Sequence, residues 1–233
     1  MIPSRSVVIL QARVASARLP RKALARLGGR TLVGRCLDRL LADTRLPVVL
    51  ATTTRPEDDA LQAEADTRGV TTVRGPVDDV LARFVMAAEA MEAHAVVRAT
   101  ADNPAVDIEA PGRVLEMLAA SGADYATESG LPYGAAVEAC TTAALLRAHR
   151  VTNDAADREH VTLLFKRDRT NFLVAEAPGP ARLCRRDLRL TVDTEADLRF
   201  MRRVLARAGA LDHEPSLAAI IDAVDCVHAE VAA

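Results

Sequence analysis

Four cations stand within one short stretch, QARVASARLPRK at residues 11–22: Arg13, Arg18, Arg21 and Lys22. The small residues Ala15, Ser16 and Ala17 lie between them. Small side chains let backbone N–H groups approach an anion while the cations neutralise it, and that is the chemistry of holding phosphates. Lysine use sharpens the reading: of the 30 basic residues only Lys22 and Lys166 are lysine. A lysine where the chain otherwise spells arginine points to a compact point charge, as suits a β- or γ-phosphate oxygen. Arg21 reads rather as part of a solvated loop.

Two aspartates offer the complementary chemistry. VVRATADNP places Asp102 just past an expected strand ending at residue 99, and RLTVDT places Asp193 just past one ending at residue 192. Carboxylates at the carboxyl ends of neighbouring strands suit a hard cation such as Mg²⁺, which takes one or two of them together with substrate phosphates and water. Each also has a plainer reading: Asp102 as a turn former, Asp193 as the N-cap of the helix that follows.

The elements that must position these residues alternate in type. Apolar runs of strand length fall at 7–10, 48–51, 71–73 and 95–99; helical periodicity falls at 31–42, 57–67, 78–92 and 108–120, the third capped by Asp78 or Asp79. This is the rhythm of βαβ units, and it implies a mostly parallel, helix-covered sheet. Ligands then sit beyond the carboxyl ends of the strands, so the loop after the first strand is the first place to look. Further strands are expected at 124–127, 136–139, 172–175 and 189–192, with helices at 142–150, 158–166, 195–208 and 217–227. Residues 1–233 read as a single domain, with a turn-rich lobe over the sheet at about 128–186.

Composition excludes several classes. A net charge of -2 leaves no basic field for a phosphate polymer, and two tyrosines, four phenylalanines and no tryptophan leave few platforms for stacking bases, so nucleic acid is not an expected partner. Neither a signal-peptide h-region nor a membrane-spanning apolar run is present, which implies a cytoplasmic protein without a membrane partner. Cys36, Cys140, Cys184 and Cys226 are widely spaced and read as reduced core thiols. G-x-G-x-x-G and G-x-x-x-x-G-K-[ST] are both absent, against a dinucleotide-binding dehydrogenase and a P-loop NTPase.

Six ordered blocks carry a wider resemblance: QARVASARLPRK at 11–22, VLATTTRPEDDAL at 49–61, VRGPVDDVLARF at 73–84, RATADNPAVD at 98–107, REHVT at 158–162 and LTVDTEADL at 190–198. In these the chain resembles the cytidylyltransferases of the spore-coat polysaccharide biosynthesis type and, more distantly, the CMP-sugar-acid synthetases. The resemblance implies a Rossmann-like three-layer α/β/α sandwich with a mostly parallel mixed sheet, and transfer of CMP from CTP to a small acidic acceptor with release of pyrophosphate. It implies that Gln11, Ala12, Arg13, Ser16, Arg18, Lys22, Arg74, Gly75, Thr100 and Ala101 bind the nucleotide, with Arg13, Arg18 and Lys22 acting on the leaving group. Asp102 and Asp193 would hold Mg²⁺, and Tyr133, Gly134, Glu138, Arg158, Glu159 and His160 would face the acceptor, His160 serving equally as a structural residue at a helix start. Members of this type are often homodimers built through the lobe.

Departures from the pattern bear on the acceptor. A glycine is usual where Ala15 stands and a hydroxyl residue where Ala17 stands, and P-x-G-x-D-V-E-x-F is here PYGAAVEAC, with Ala136 in place of the aspartate. Loss of a carboxylate that would meet a sugar hydroxyl favours a small phosphonate or phosphorylated acid; a sugar acid or sugar phosphate is the alternative. Two other classes stay open: a nucleotide-sugar glycosyltransferase, which usually carries its aspartates as one D-x-D unit, and a non-catalytic nucleotide-binding module.

Overall fold

The runs VVIL, VVLATT and AVVRAT are apolar on both faces, as strands flanked by helices on each side must be, and they form the middle of one sheet. A computed structural model of the chain describes residues 2–16, 18–42, 45–210 and 213–232. In chain order the first half comprises β1 (Ser6–Gln11), the short hairpin β2 (Arg26–Leu27) and β3 (Arg30–Thr31), α1 (Leu32–Leu41), β4 (Val48–Thr53), α2 (Asp59–Asp66), β5 (Thr71–Gly75), α3 (Val80–Ala90), β6 (Ala95–Thr100) and α4 (Ala110–Ser121). The second half comprises β7 (Tyr125–Ser129), β8 (Glu138–Thr141), α5 (Thr142–Val151), α6 (Ala155–His160), α7 (Leu163–Arg167), β9 (Val174–Pro178), α8 (Glu195–Arg207) and α9 (Leu217–Ala232).

Seven strands pair in the order β5-β4-β1-β6-β8-β7-β9. β8 runs antiparallel to both its neighbours and every other pairing is parallel, so the sheet is mixed but mostly parallel. Alternation along β1 divides the core: Val8 and Leu10 pack with Leu37, Leu61, Leu115, Val204 and Val224 on one face. Val7 and Ile9 pack with Phe84, Leu145, Phe165 and Phe172 on the other. The result is the expected three-layer α/β/α sandwich. Strand order reverses around β1, with β4 and β5 to one side and β6 to the other, and this opens a crevice at the carboxyl ends of β1 and β6.

Helix starts follow local side-chain chemistry. Thr31, Asp79, Thr141 and Asp154 each accept from a backbone N–H of the first turn, and Thr194 forms a capping box with Asp197.

The structure departs from sequence expectation at several places. Residues 189–192 form no strand; the segment makes one isolated bridge, Arg189 with Tyr133, because a single crossing of the 133 turn satisfies its backbone before it runs on to residue 102. The helix expected at 158–166 is two, α6 and α7, broken at Val161, whose φ of 53° no helix accommodates. The strands expected at 136–139 and 172–175 both begin later, at Glu138 and at Val174. Segment 128–186 does not lie over the sheet alone: it supplies β8 and β9 to it. Of the cysteines, Cys36 and Cys140 are buried, and burial pushes the Cys140 thiol up to about 12, but Cys226 is exposed and is no core thiol. No helix among the described residues is long and apolar enough to cross a membrane.

Candidate active site

A cleft of about 800 Å³ opens at the β1 and β6 ends. Six cationic side chains and four carboxylates line it, an excess of positive charge that favours an anionic ligand. Gln11, Ala12, Arg13, Ser16, Arg18, Lys22, Thr100 and Ala101 all reach it, as do Ala15 and Ala136. Ala17 lies outside the described residues.

The loop after β1 is held from behind: Val14 N donates to Asp58 Oδ1 at 2.7 Å, and Asp58 is buried. Arg21 then adopts φ 56°, in the left-handed region, and begins a 3-10 turn over Lys22–Leu24. This reversal leaves Arg21 outside the cleft lining and turns Lys22, 16% exposed, into it. Lys22 Nζ donates to Asp102 Oδ2 at 3.1 Å, Asp193 Oδ1 at 2.9 Å and the carbonyl of Val192 at 3.1 Å.

The two aspartates therefore converge on one point although they lie far apart in sequence. Val192 N donates to the Asp102 carbonyl at 2.8 Å, which ties the 188–193 segment beside the β6 end. Gly134, at φ 95°, permits this approach: a Cβ there would stand 2.9 Å from Thr191 N. Thr194 and Asp197 cap α8, so the Asp193 carboxylate is not the cap and is free to face Lys22, Arg18 at 2.7 Å and Arg189 at 2.6 Å. Burial alone would raise the Asp193 pKa; the hydrogen bond and charge of Lys22, then Arg18 and Arg189, bring it below the ordinary range. Thr100 Oγ1 orients Asp102 from the other side, at 2.7 Å. Among the described residues no group of three or more His, Cys, Asp or Glu is placed so that it could hold a metal ion by itself. Two carboxylates around a position already sized for a cation fit Mg²⁺, which takes its remaining oxygens from phosphate and water.

At the other end of the cleft Glu138 is the hub. Oε2 accepts from Arg98 Nη1 at 2.8 Å and Thr162 Oγ1 at 2.8 Å; Oε1 accepts from the Tyr125 hydroxyl at 2.7 Å and pairs with Lys166 Nζ. Burial works to raise its pKa, but Arg98 and Lys166, with the Lys166 and Tyr125 hydrogen bonds, hold it at about 2. Glu138 thus spends its lone pairs on the protein's own donors and sets the positions of two cations. Because the folded carboxyl titrates near 2 against an ordinary 4.5, its stabilisation is fully present above pH 4.5 and is lost as pH falls through 2. Glu138→Gln is expected to lower stability by up to about 3 kcal/mol at neutral pH and to flatten the decline in melting temperature between pH 5 and 3. Parallel melts of the two proteins across that range check it; curves of the same slope would remove Glu138 from the hub.

Other residues fall differently. Tyr133, Gly134, Glu159 and His160 border the cleft; Arg13 Nη2 donates to Glu159 Oε1 at 3.0 Å across it, and Tyr133 lies under the Arg189 guanidinium. His160 ends α6, not starts it, and Thr162 N donates back to its carbonyl around Val161, a γ-turn of the rare positive-φ kind. Such a turn at a buried β-branched residue is strained, and it brings both His160 and Thr162 to the cleft. Arg74, Gly75 and Arg158 are not in the lining. Arg74 binds the carbonyls of Thr53 and Arg55 with Asp59 and Gln62, Gly75 makes room for Arg83 and Met86 of α3, and Arg158 binds the carbonyls of His149 and Thr152 with Asp79. Sequence reading missed Arg83, Arg98, Thr162 and Lys166 in the lining. For Lys166 the signal existed: the rarity of lysine that marked Lys22 marks it equally.

A family model described as cytidylyltransferase matches residues 7–208. The chain is similar to an uncharacterised protein of Methanocaldococcus jannaschii, 34% identical over 193 residues that cover 82% of this chain and 79% of that one. It is also similar to the spore coat polysaccharide biosynthesis protein SpsF of Bacillus subtilis, 31% identical over 207 residues covering 86% of each. Its fold is similar to that of a cytidylyltransferase from Leptospira borgpetersenii serovar Hardjo-bovis, with TM-score 0.86 and 23% identity over 98% of this chain and 95% of that chain.

Proposed function

The chain belongs to the cytidylyltransferase family, and on that premise we propose that it moves CMP from CTP to a small acidic acceptor, releasing pyrophosphate. The observation that carries this reading is the convergence of Lys22, Arg18, Asp102 and Asp193 at the switch point of the sheet. An ionised acceptor oxygen attacks the α-phosphorus, a new O–P bond forms, and the bridging oxygen leaves with the β- and γ-phosphates as pyrophosphate. Arg13, Arg18 and Lys22 neutralise the charge that grows on that leaving group. Asp102 and Asp193 would hold Mg²⁺, which when bound withdraws charge from phosphate oxygens. A phosphate or phosphonate acceptor is already ionised near neutral pH, so the site needs no strong general base, and His160 at the rim serves to shape the acceptor space. The protein is read as acting in the cytoplasm, as a homodimer, without nucleic acid or membrane partners.

Ala136 lines the cleft where a carboxylate would meet a polyhydroxylated acceptor. The enzyme is accordingly expected to prefer small phosphonates and phosphorylated acids to eight- or nine-carbon sugar acids. Pyrophosphate release is to be measured with each of the four NTPs against a panel of all three acceptor classes. CTP with a small phosphonate or phospho-acid should give the highest kcat/KM; a sugar acid ahead of all of these would assign the acceptor to the polysaccharide branch that the SpsF likeness favours. No release with any pair would refute the transferase reading.

A further inference from the structure

Both lysines of this arginine-rich chain line the same cleft, one at each end. Lys22 meets the aspartate pair, and Lys166 meets Glu138. At the Glu138 end the charges do not balance: Arg98 and Lys166 share one carboxylate, and that carboxylate is already occupied by the Tyr125 and Thr162 hydroxyls as well. Arg98 is further fixed by Nε, which donates to Gln11 Oε1 at 3.2 Å. Lys166 is 48% exposed on its side chain, so its remaining donors face space a ligand can enter, with one positive charge left over between the two cations. Such a pair, held in place by a partly buried hub, is built to receive an anion.

From this geometry, and resting on the transferase reading above, we infer that Lys166 and Arg98 form a second anion subsite that takes a carboxylate of the acceptor, separate from the acceptor oxygen that attacks phosphorus. The spacing follows from the strand. Arg98 and Thr100 are two residues apart on β6 and share its cleft-facing side, about 7 Å at strand rise, and Thr100 holds Asp102. The acceptor is therefore a bifunctional small acid, with its nucleophilic phosphonate or phosphate oxygen near Asp102 and a carboxylate a few bonds away. A lysine with freely rotating donors adapts to a carboxylate presented on chains of differing length.

The test reads binding, so it does not depend on turnover. Calorimetry with the protein loaded with α,β-methylene-CTP, which cannot release pyrophosphate, would compare phosphonoacetate, 3-phosphonopropionate and 4-phosphonobutyrate with methyl-, ethyl- and propylphosphonate, which lack the carboxylate. At least one acid should bind tenfold or more tightly than its carboxylate-free partner. Lys166→Met should erase that preference, Lys166→Arg should keep part of it, and the CTP affinity of both variants should stay within twofold of the parent, as a merely structural lysine would not arrange. Equal binding within every pair, or a preference that survives in Lys166→Met, overturns the subsite. Failure of the transferase reading looks different: CTP itself would not bind, or pyrophosphate would not appear with any acceptor.

Discussion

Asp102→Asn and Asp193→Asn are each expected to lower kcat/KM for CTP by about a thousandfold or more, with the fold retained. Asparagine keeps the shape and one oxygen but removes the charge that would hold a divalent cation against the phosphates. Losing about 4 kcal/mol of transition-state stabilisation corresponds to that factor. The two variants should part company in stability. Asp193 is buried and faces Lys22, Arg18 and Arg189, so its neutralisation leaves three cations poorly compensated and should cost on the order of 1–3 kcal/mol. Asp102 is more open, 31% exposed, and should cost less. Rates at saturating magnesium, with melting curves beside them, decide the matter: both variants within tenfold of the parent would end the carboxylate-pair assignment.

Lys22→Ala should lower kcat/KM by about a hundredfold, since the ammonium acts both on bound phosphate and on the charge that develops as pyrophosphate departs. Lys22→Arg keeps the charge, yet it should remain impaired by tenfold or more. The Lys22 ammonium meets three oxygens at 2.9 to 3.1 Å, in a pocket that leaves 16% of its side chain exposed; a flat, wider guanidinium cannot occupy the same point. A second readout needs no substrate. Without the ammonium Asp102 and Asp193 lose the cation they share, Asp193 keeping Arg18 and Arg189, so Lys22→Ala should melt several degrees lower in EDTA and recover when magnesium is added. An arginine variant indistinguishable from the parent in rate would leave Lys22 a structural partner of the two aspartates with no part in the reaction.

The parts of this molecule that could be read from the sequence are those governed by short-range signals. β1, β4 and β6 are long apolar runs, and Asp79 precedes its helix as a cap should. Arg13, Arg18, Lys22 and Asp102 were legible because topology sends strand ends to the crevice; Asp193 reaches it although no strand precedes it, and Arg21 stays outside the lining. Long-range pairing was not legible. Nothing in LRLTV tells that its backbone would bond to residues 133 and 102 in place of a full strand, and nothing in REHVT tells that Val161 would break the helix. Arg74 and Arg158 looked like site residues, but their acceptors are carbonyls 21, 19, 9 and 6 residues away in sequence. In a chain that uses arginine so freely, an arginine carries little information about its partner. A lysine carries more, and Lys166 went unread only because its contact with Glu138 spans β8 and α7.

The reversed direction of β8 has a consequence for how such a cleft can change over time. Gln11 and Thr100 reach the crevice as the chain leaves parallel strands, whereas Ala136 and Glu138 reach it as the chain enters an antiparallel one. Ala136 and Glu138 are therefore written in a stretch of the gene separate from the 11–22 loop, and the pairing of β6 with β8 sets them beside Arg98 and Thr100. Change at Ala136 can alter what is accepted without touching the 11–22 loop, whereas Tyr133 and Gly134 of the same turn also hold the segment that carries Asp193, so selection can vary one partner of a two-substrate reaction at some positions of the turn and not at others.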